Sequence, residues 1–283
     1  MADQDPTPAV NSPRTPRPDS PIPSSGPSET GAAASEVYGD APGAADARPR
    51  KGAAREDQVQ QIFSEIAPRY DLLNHVLSMN VDRRWRRRAV DELGWEDRPG
   101  GLYLDACAGT YDLALELSGR SAFRGRVVAS DFAWPMLAEG REKLDGGVLP
   151  LCADTLRLPL GESIFHGALV AFGIRNLADL DAGLEELYRV LRPGARLVVL
   201  EFTLPTNALI RALYLFYFNR VLPLVGRIVS GHPWAYRYLP ESVKEFPGPA
   251  ELAERFEKAG FRDVRWQSLT LGIAAIHVGV RGR

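Results

Sequence analysis

The sequence has few cysteines and almost no excess of charge of either sign. Its 283 residues include two cysteines, Cys107 and Cys152, and four histidines. These residues supply neither a disulfide framework nor a set of metal ligands, which is typical of a protein in a reducing cytosol. We therefore expect a cytoplasmic protein with no metal site. The formal net charge of −2 gives no electrostatic reason to expect nucleic acid as a partner.

The first 55 residues contain few large apolar side chains and show no periodicity, while Pro, Ser, Ala and Gly are abundant. Such a segment cannot bury enough apolar surface to offset the entropy lost on ordering. We predict a disordered tail over residues 1–55 and a folded domain over residues 56–283. The early Asp3 and Asp5, together with the lack of a basic start, argue against a targeting role.

Long uninterrupted apolar runs are also missing. The most apolar stretch, residues 208–229, is broken by Pro223 and by three arginines. A bilayer-spanning helix needs about 20 consecutive apolar residues with few or no charges, so we do not expect this stretch to cross a membrane. We predict instead a helical insert within residues 204–245 that packs on the sheet and walls an apolar pocket.

The remaining sequence alternates between two rhythms. Helical spacing covers the region from Asp57 to Pro68, and two further helices are predicted over residues 69–80 and 82–93. After Pro99, apolar and β-branched runs alternate with helical stretches, which implies a mostly parallel sheet covered on both faces. The predicted fold is therefore α/β, with a doubly wound sheet of seven strands: LYLDACA, RVVASDF, VLPLCAD, GALVAFG, ARLVVLEF, DVRWQSL and IAAIHVGV.

Acidic residues follow the first three strands, at Asp105, Asp131 and Asp154. Ligands of doubly wound sheets bind at the carboxyl ends of the strands. Asp131 follows the turn around Gly109 by about 20 residues, the spacing of an acid that binds ribose hydroxyls. An aspartate in this place can also cap the next helix.

The turn after the first strand decides between cofactors. It contains a single glycine, Gly109, followed by Thr110 and the bulky Tyr111. NAD and FAD require several glycines so that backbone N–H groups can approach a pyrophosphate. S-adenosylmethionine has no phosphate and carries a sulfonium cation, which suits one glycine surrounded by acids. The turn therefore favours methyl transfer, with the ring of Tyr111 either turned away from the cation or laid against the cofactor as a wall.

Four blocks carry a resemblance to a known family: FSEIAPRYDLLNHVLSMNVDRRWRR, DACAGTYDLAL, FGIRNLADLDAGLEELYRVLRPGARLVVLEF and YRYLPESVKEFP. From about Val59 to Arg281 the chain resembles the S-adenosylmethionine-dependent C-methyltransferases of menaquinone and ubiquinone biosynthesis. The resemblance implies a class I methyltransferase fold and methylation of a ring carbon of a polyprenylated hydroquinone, foremost demethylmenaquinol to menaquinol. A 2-methoxy-6-polyprenyl-benzoquinol is the alternative acceptor. An inactive methyltransferase-fold scaffold is the alternative in another class, because Ala108 and Tyr111 replace glycines of the family's loop.

The resemblance also implies site residues. It maps cofactor contacts to Thr110, Asp131, Asp154 and Thr155, and the strand-end pattern adds Asp105 and Gly109. Arg175 and Asn176 follow the fourth strand at the active face, where their side chains are suited to stabilise a phenolate oxygen.

Candidate groups for the proton path are His277, Tyr236 and Asp154, and for His277 the alternative is a core histidine within a strand.

An arginine run precedes the sheet and has two interpretations. Its members are Arg83, Arg84, Arg86, Arg87 and Arg88. Trp85, Ala89 and Leu93 share one helical face, so the arginines are expected mostly on the solvated side. The alternative is contact with anionic lipid headgroups at the inner face of the membrane, which suits a prenylated substrate. Two macromolecular partners are considered: a membrane surface, contacted peripherally, and a second copy of the chain in a homodimer.

Overall fold

The structure is a computed structural model that describes residues 48–69, 80–144, 146–217, 220 and 235–283. Residues 1–47 of the predicted tail lie outside the described residues. So do most of the predicted helix over residues 69–80 and the middle of the predicted insert. Among the residues described, no helix has the length and apolar character needed to cross a bilayer.

The strands of the described region form one sheet. They are β1 (Leu102–Ala106), β2 (Arg126–Asp131), β3 (Val148–Cys152), β4 (Phe165–Ala171), β5 (Leu191–Phe202), β6 (Phe261–Leu269) and β7 (Ala274–Arg281). Their order across the sheet is β3-β2-β1-β4-β5-β7-β6. β7 runs antiparallel to both of its neighbours, and the pairs from β3 to β5 are parallel. The prediction of a mostly parallel seven-stranded sheet is confirmed.

Helices precede and separate the strands. They are α1 (Ala53–Ile66), α2 (Val81–Glu92), α3 (Asp112–Ser118), α4 (Trp134–Glu139), α5 (Leu180–Val190), α6 (Ala208–Phe216), α7 (Ala235–Glu245) and α8 (Pro249–Lys258). α1 begins before the start predicted at Asp57 and ends just before the short 3-10 turn that contains Pro68. α5 begins at Leu180, where the carboxylate of the preceding Asp179 accepts the N–H of Ala182 at 3.0 Å and caps the helix.

Both faces of the sheet are covered, as the apolar strands predict. Side chains of β5 alternate between the two faces: Val198 and Leu200 belong to the core under α2 and α3, and Leu197 and Val199 to the core under α5 and α8. Each such fully buried side chain stabilises the fold by roughly 1.5–3 kcal/mol relative to an exposed one.

A smaller cluster lies apart from these two cores and joins three helices. It unites Val59 and Ile62 of α1, Tyr214 of α6, and Tyr238 and Val243 of α7.

Candidate active site

A cavity lies at the carboxyl ends of β1 to β4 and holds about 600 Å³ of space, including its open mouth. Five predicted site residues line it: Gly109, Asp131, Asp154, Thr155 and Asn176. Parallel strands bring these residues together because their carboxyl ends meet at one edge of the sheet. About half of the predicted site residues therefore line one cavity.

Asp131 fixes the turn between β1 and α3. Its Oδ2 accepts the N–H of Gly109 at 2.9 Å, and its Oδ1 accepts the N–H of Ala133, which precedes α4, at 2.9 Å. Burial raises the pKa of Asp131 above its usual value, and these N–H groups oppose that rise. A carboxylate has about four acceptor positions, so it can cap α4 and still accept ribose hydroxyls. The two interpretations of this residue are thus compatible.

Tyr111 stands in the left-handed region, with φ of 71°, where a residue other than glycine costs about 1–2 kcal/mol. Its ring is buried, and its hydroxyl donates to the carbonyl of Leu137 at 2.7 Å. A Cβ on Gly140 would come within 2.6 Å of the ring, so the glycine makes room for it. The ring is not on the cavity wall. Tyr111 therefore turns away from the cofactor site, and its buried contacts offset the strain.

Asp105 and Thr110 lie behind the cavity wall rather than on it. Asp105 is buried, and its Oδ2 accepts the N–H of Ala114 in α3 at 2.9 Å. Burial raises its pKa to about 8, with nearby Asp131 adding to the rise, so the carboxyl is mostly protonated at pH 7. The structure thus places Asp105 as a support for the first turn of α3.

Arg175 differs most from its expected position. Its Nη1 lies 2.8 Å from Glu201 Oε1 and also donates to the carbonyl of Phe172, while its Nε donates to Ser242 Oγ at 3.4 Å. The guanidinium stands over the Phe202 ring and is not on the cavity wall. Its partners on β5 and α7 hold it behind the cavity wall.

Glu201 is the buried counterion that sequence analysis missed. It is fully buried, and burial raises its pKa while the Arg175 guanidinium opposes the rise. Its role could not be predicted from the sequence, because a single acid at the end of an apolar strand such as β5 belongs to no recognisable motif. Its partner lies 26 positions away in the chain.

Asn176 lines the cavity beside Arg175. Its Oδ1 accepts the hydroxyl of Tyr238 at 3.1 Å, which directs its amide N–H groups to other acceptors. The guanidinium of Arg55 donates to the carbonyl of Arg175 and so brings the first turn of α1 to this corner. Glu56, next to Arg55, lines the cavity as a result. Glu56 carries no signal of a functional role in the sequence, because it stands at the border of the predicted tail.

His277 lies in β7, away from the cavity wall. It is 1% exposed, and its Nε2 donates to the carbonyl of Pro249 at 2.9 Å. Burial lowers its pKa to about 4, and Trp266 stacks on its ring. These contacts are those of a core histidine. Tyr236 falls within α7, but its side chain lies outside the described residues.

The arginine run is mostly exposed, as predicted, with one exception. Arg86 is 7% exposed and pairs with Asp82. Its Nη1 also lies 3.3 Å from Asp112 Oδ2. In the part of the chain that the structure describes, no group of three or more His, Cys, Asp or Glu residues is arranged to hold a metal ion.

Comparisons with known proteins agree on one family. The model of the ubiE/COQ5 methyltransferase family matches residues 51–281. A demethylmenaquinone methyltransferase of Thermus thermophilus is 52% identical over 223 residues, which is 78% of this chain and 100% of that protein. A ubiquinone/menaquinone biosynthesis C-methyltransferase, UbiE, of Geobacter sulfurreducens is 42% identical over 231 residues, or 80% of this chain and 89% of that protein.

A solved structure supports the fold. It is an S-adenosylmethionine-dependent methyltransferase of Thermotoga maritima, described as a possible histamine N-methyltransferase. It superposes with a TM-score of 0.56 at 19% identity and covers 78% of this chain and 98% of that one. The predicted class I methyltransferase fold is confirmed.

Proposed function

This chain belongs to the ubiE/COQ5 methyltransferase family, and we propose that it methylates a ring carbon of demethylmenaquinol to give menaquinol. It is an S-adenosylmethionine-dependent methyltransferase. The quinol acceptor is supported by the names of its relatives from Thermus thermophilus and Geobacter sulfurreducens. The proposal rests on one cavity that is lined both by Gly109 and Asp131 and by Asn176 and Glu56.

The residues of the cavity fit this cofactor. Asp131 is proposed to accept the ribose hydroxyls, because its two oxygens are held in place by backbone N–H groups. Asp154 and Thr155 offer a carboxylate and a hydroxyl from the end of β3 on the same wall. Gly109, with no side chain, permits a close approach to its backbone. When bound, S-adenosylmethionine supplies an electrophilic methyl group attached to a sulfonium.

The acceptor must be activated by this chain's own groups. A hydroquinone hydroxyl has a pKa of about 10, as tyrosine does, so the adjacent ring carbon is a poor nucleophile at neutral pH. Removing the hydroxyl proton moves electron density onto the adjacent carbon. Once that carbon carries the methyl group, its own hydrogen leaves as a proton and the oxygen regains one, which restores the aromatic hydroquinone. A positioned base that takes this proton typically contributes about 10²- to 10⁴-fold.

We propose that Glu56 takes the proton while the amide of Asn176 donates a hydrogen bond to the phenolate oxygen. The cavity is lined by three carboxylates, Glu56, Asp131 and Asp154, among the described residues. The remaining acceptor positions of Asp131 are assigned above to the ribose hydroxyls, and Asp154 accepts the N–H of Leu156 at 2.9 Å. Glu56 is the carboxylate that α1 brings to the corner of Asn176.

The acceptor is tested by incubating the protein with labelled S-adenosylmethionine and each reduced quinol. Label in demethylmenaquinol is the expected result. Label found only in the benzoquinol would replace the naphthoquinol acceptor. Bound cofactor without transfer to either acceptor would support the inactive scaffold instead.

The role of Glu56 is tested by separating kcat from KM. Glu56→Gln should lower kcat by about 10²-fold or more, because the amide cannot take the hydroxyl proton. Asp154→Asn is the matched control, since it removes the other carboxylate and should raise the KM for the cofactor instead. An unchanged kcat in Glu56→Gln together with a lowered kcat in Asp154→Asn would assign the proton to Asp154.

We also propose that the protein works at the cytoplasmic surface of a membrane, because the prenyl tail of the acceptor dissolves in the bilayer. The homodimer remains a prediction.

A further inference from the structure

We propose that α6, the Thr270–Gly272 turn and nearby arginines of α2 form a docking surface for an anionic lipid bilayer. The inference rests on the proposed function for its biological reason, since a prenylated acceptor lies in the bilayer. Its physical basis is independent of the reaction. It is an apolar surface that the fold leaves exposed, next to a local excess of positive charge.

The first component is an apolar helix that is mostly uncovered. Leu209 is 70% exposed, and Leu213 and Phe216 are each 63% exposed. Their spacing puts all three on one face of α6. Tyr214 is the buried residue of this helix. Contiguous exposed side chains of this size mark an interaction site rather than ordinary surface.

The buried side of α6 points toward the cavity. Tyr214 packs in one cluster with Val59 and Ile62 of α1, and Val59 lines the cavity. The exposed apolar face is therefore separated from the cavity by α6 itself and by α1. A bilayer seated on that face would lie close to the site that takes the acceptor.

The second component is the turn that follows β6. Leu271 at its tip is 72% exposed and has φ of 59°, in the left-handed region. The turn lies beside the segment that leads into α6: Thr203 Oγ1 donates to the Gly272 carbonyl at 2.7 Å, and a Cβ on Gly272 would come within 3.3 Å of Pro205 Cα. An exposed leucine thus stands next to the start of the apolar helix.

The third component is the basic side of α2. Trp85 Nε1 donates to Thr270 Oγ1 at 2.9 Å, and Arg88 Nη2 donates to Gln267 Oε1 at 3.2 Å. α2 therefore runs alongside β6 and the turn. Arg84 and Arg88, one helical turn apart, are exposed on this side. Arg88 shares the carboxylate of Glu92 with the exposed Arg265. α6 adds the exposed Arg211, whose guanidinium donates to the carbonyls of Pro205 and Thr206.

The chemistry of the surface favours an anionic bilayer. Helices that lie in the membrane interface combine leucine and phenylalanine on one face with arginine beside it, as this surface does. Clustered arginines are attracted to anionic headgroups. The whole chain has a net charge of −2, so this positive patch is local. A second copy seated symmetrically on the same face would bring the arginines of both copies together, which is unfavourable.

Vesicle co-sedimentation tests the surface without measuring activity. The full chain should bind vesicles of phosphatidylcholine with phosphatidylglycerol, and bind vesicles of phosphatidylcholine alone much more weakly. The double variant Leu209→Asp/Leu213→Asp should bind at least about tenfold more weakly, because the charges cannot enter the interface. Leu149→Asp, at an exposed leucine of β3, is the matched control and should bind like the unchanged protein.

The arginines are tested separately. Arg84→Gln/Arg88→Gln should reduce binding to anionic vesicles and weaken its dependence on salt. Equal binding of the Leu209→Asp/Leu213→Asp variant and the unchanged protein would overturn the proposal. A dimer that forms without lipid and dissociates in that variant, as seen by sedimentation, would also overturn it and assign the face to a second copy.

Failure of this inference can be told apart from failure of the proposed function. A protein that methylates demethylmenaquinol but does not bind vesicles would lack the docking surface and keep its reaction. Binding to anionic vesicles without transfer to any quinol would leave the surface in place and remove the reaction. The docking variant should keep its kcat on a soluble acceptor with a short tail and lose activity on a long-tailed acceptor in vesicles.

Discussion

The cavity has a proposed cofactor side, around Gly109 and Asp131, and a proposed acceptor side, around Asn176. The two sides are held together by different kinds of bond. On the cofactor side, the carboxylate of Asp131 accepts backbone N–H groups of Gly109 and Ala133, in segments fixed by neighbouring strands. On the acceptor side, side chains far apart in the chain bond to one another. Tyr238 and Asn176 are 62 positions apart, and Arg175 and Ser242 are 67 apart.

The two sides differ in how charge is held. The buried carboxylate of Asp131 is bonded to backbone N–H donors, which carry no net charge. The acceptor side contains the buried ion pair of Arg175 and Glu201, in which each charge depends on its partner. Substitutions on the acceptor side should therefore reduce stability or the rate, whereas those on the cofactor side should mainly change affinity.

The largest effect is expected at Glu201. Glu201→Ala leaves the Arg175 guanidinium buried without its counterion, which should lower the free energy of unfolding by about 3–5 kcal/mol. Urea unfolding measures this loss. Asp181→Ala is the matched control, because it breaks the exposed pair with Arg255 and should cost less than about 1 kcal/mol. Equal losses in the two variants would show that the buried pair on the acceptor side contributes no more to stability than an exposed pair.

The next effect is expected on the rate, at Asn176. Asn176→Ala removes the proposed donor to the phenolate oxygen and should lower kcat by roughly 10²- to 10³-fold. The affinity for S-adenosylmethionine should stay unchanged, since the cofactor side is intact. Tyr238→Phe should act in the same direction and less strongly, because it only releases the amide from its orienting hydrogen bond. A change confined to cofactor affinity would place Asn176 on the other side.

A smaller effect is expected at Asp131, on binding. Asp131→Ala should weaken S-adenosylmethionine binding by about 1–3 kcal/mol, the cost of leaving polar partners unsatisfied. Titration calorimetry measures it. Tyr111→Phe is the control in the same turn: it removes the bond to Leu137 and should lower stability without changing affinity. If Tyr111→Phe weakens binding as much as Asp131→Ala does, then the tyrosine contacts the cofactor.

The smallest effect on activity is expected at His277. Burial lowers its folded-state pKa from 6.5 to about 4, so the folded state resists protonation. Its contribution to stability is present above pH 6.5 and is lost as the pH falls through that value toward about 4. His277→Phe should therefore flatten the fall of stability across this range and leave methyl transfer unchanged. Loss of transfer with an unchanged stability profile would restore His277 to the proton path.

Much of the cofactor side could be predicted from the sequence, for a local reason. Gly109 and Asp131 stand at the ends of apolar strands, and parallel strands bring such ends together whatever else surrounds them. The alternation of β5 likewise follows from the period of two in its own residues. The family blocks then added the acceptor class, which no spacing of residues reveals.

The acceptor side could not be predicted in the same way. Arg175 was expected at the cavity and lies behind its wall, because Glu201 and Ser242 attract its guanidinium there. Glu56 was assigned no role and lines the cavity. Both outcomes depend on which helices pack above the strand ends, and that packing joins residues as distant as Arg55 and Arg175, which are 120 positions apart.

The sequence by itself determined the seven strands and their order along the chain, the turn around Gly109, and the family. Period, strand ends and turn residues are local properties, and each acts over a few neighbouring residues. Tertiary structure alone decided that Tyr111 is buried away from the cavity, that Arg175 pairs with Glu201 behind the cavity wall, and that Leu209 and Leu213 of α6 stay exposed. Burial is a property of what packs against a residue, and those partners come from distant parts of the chain.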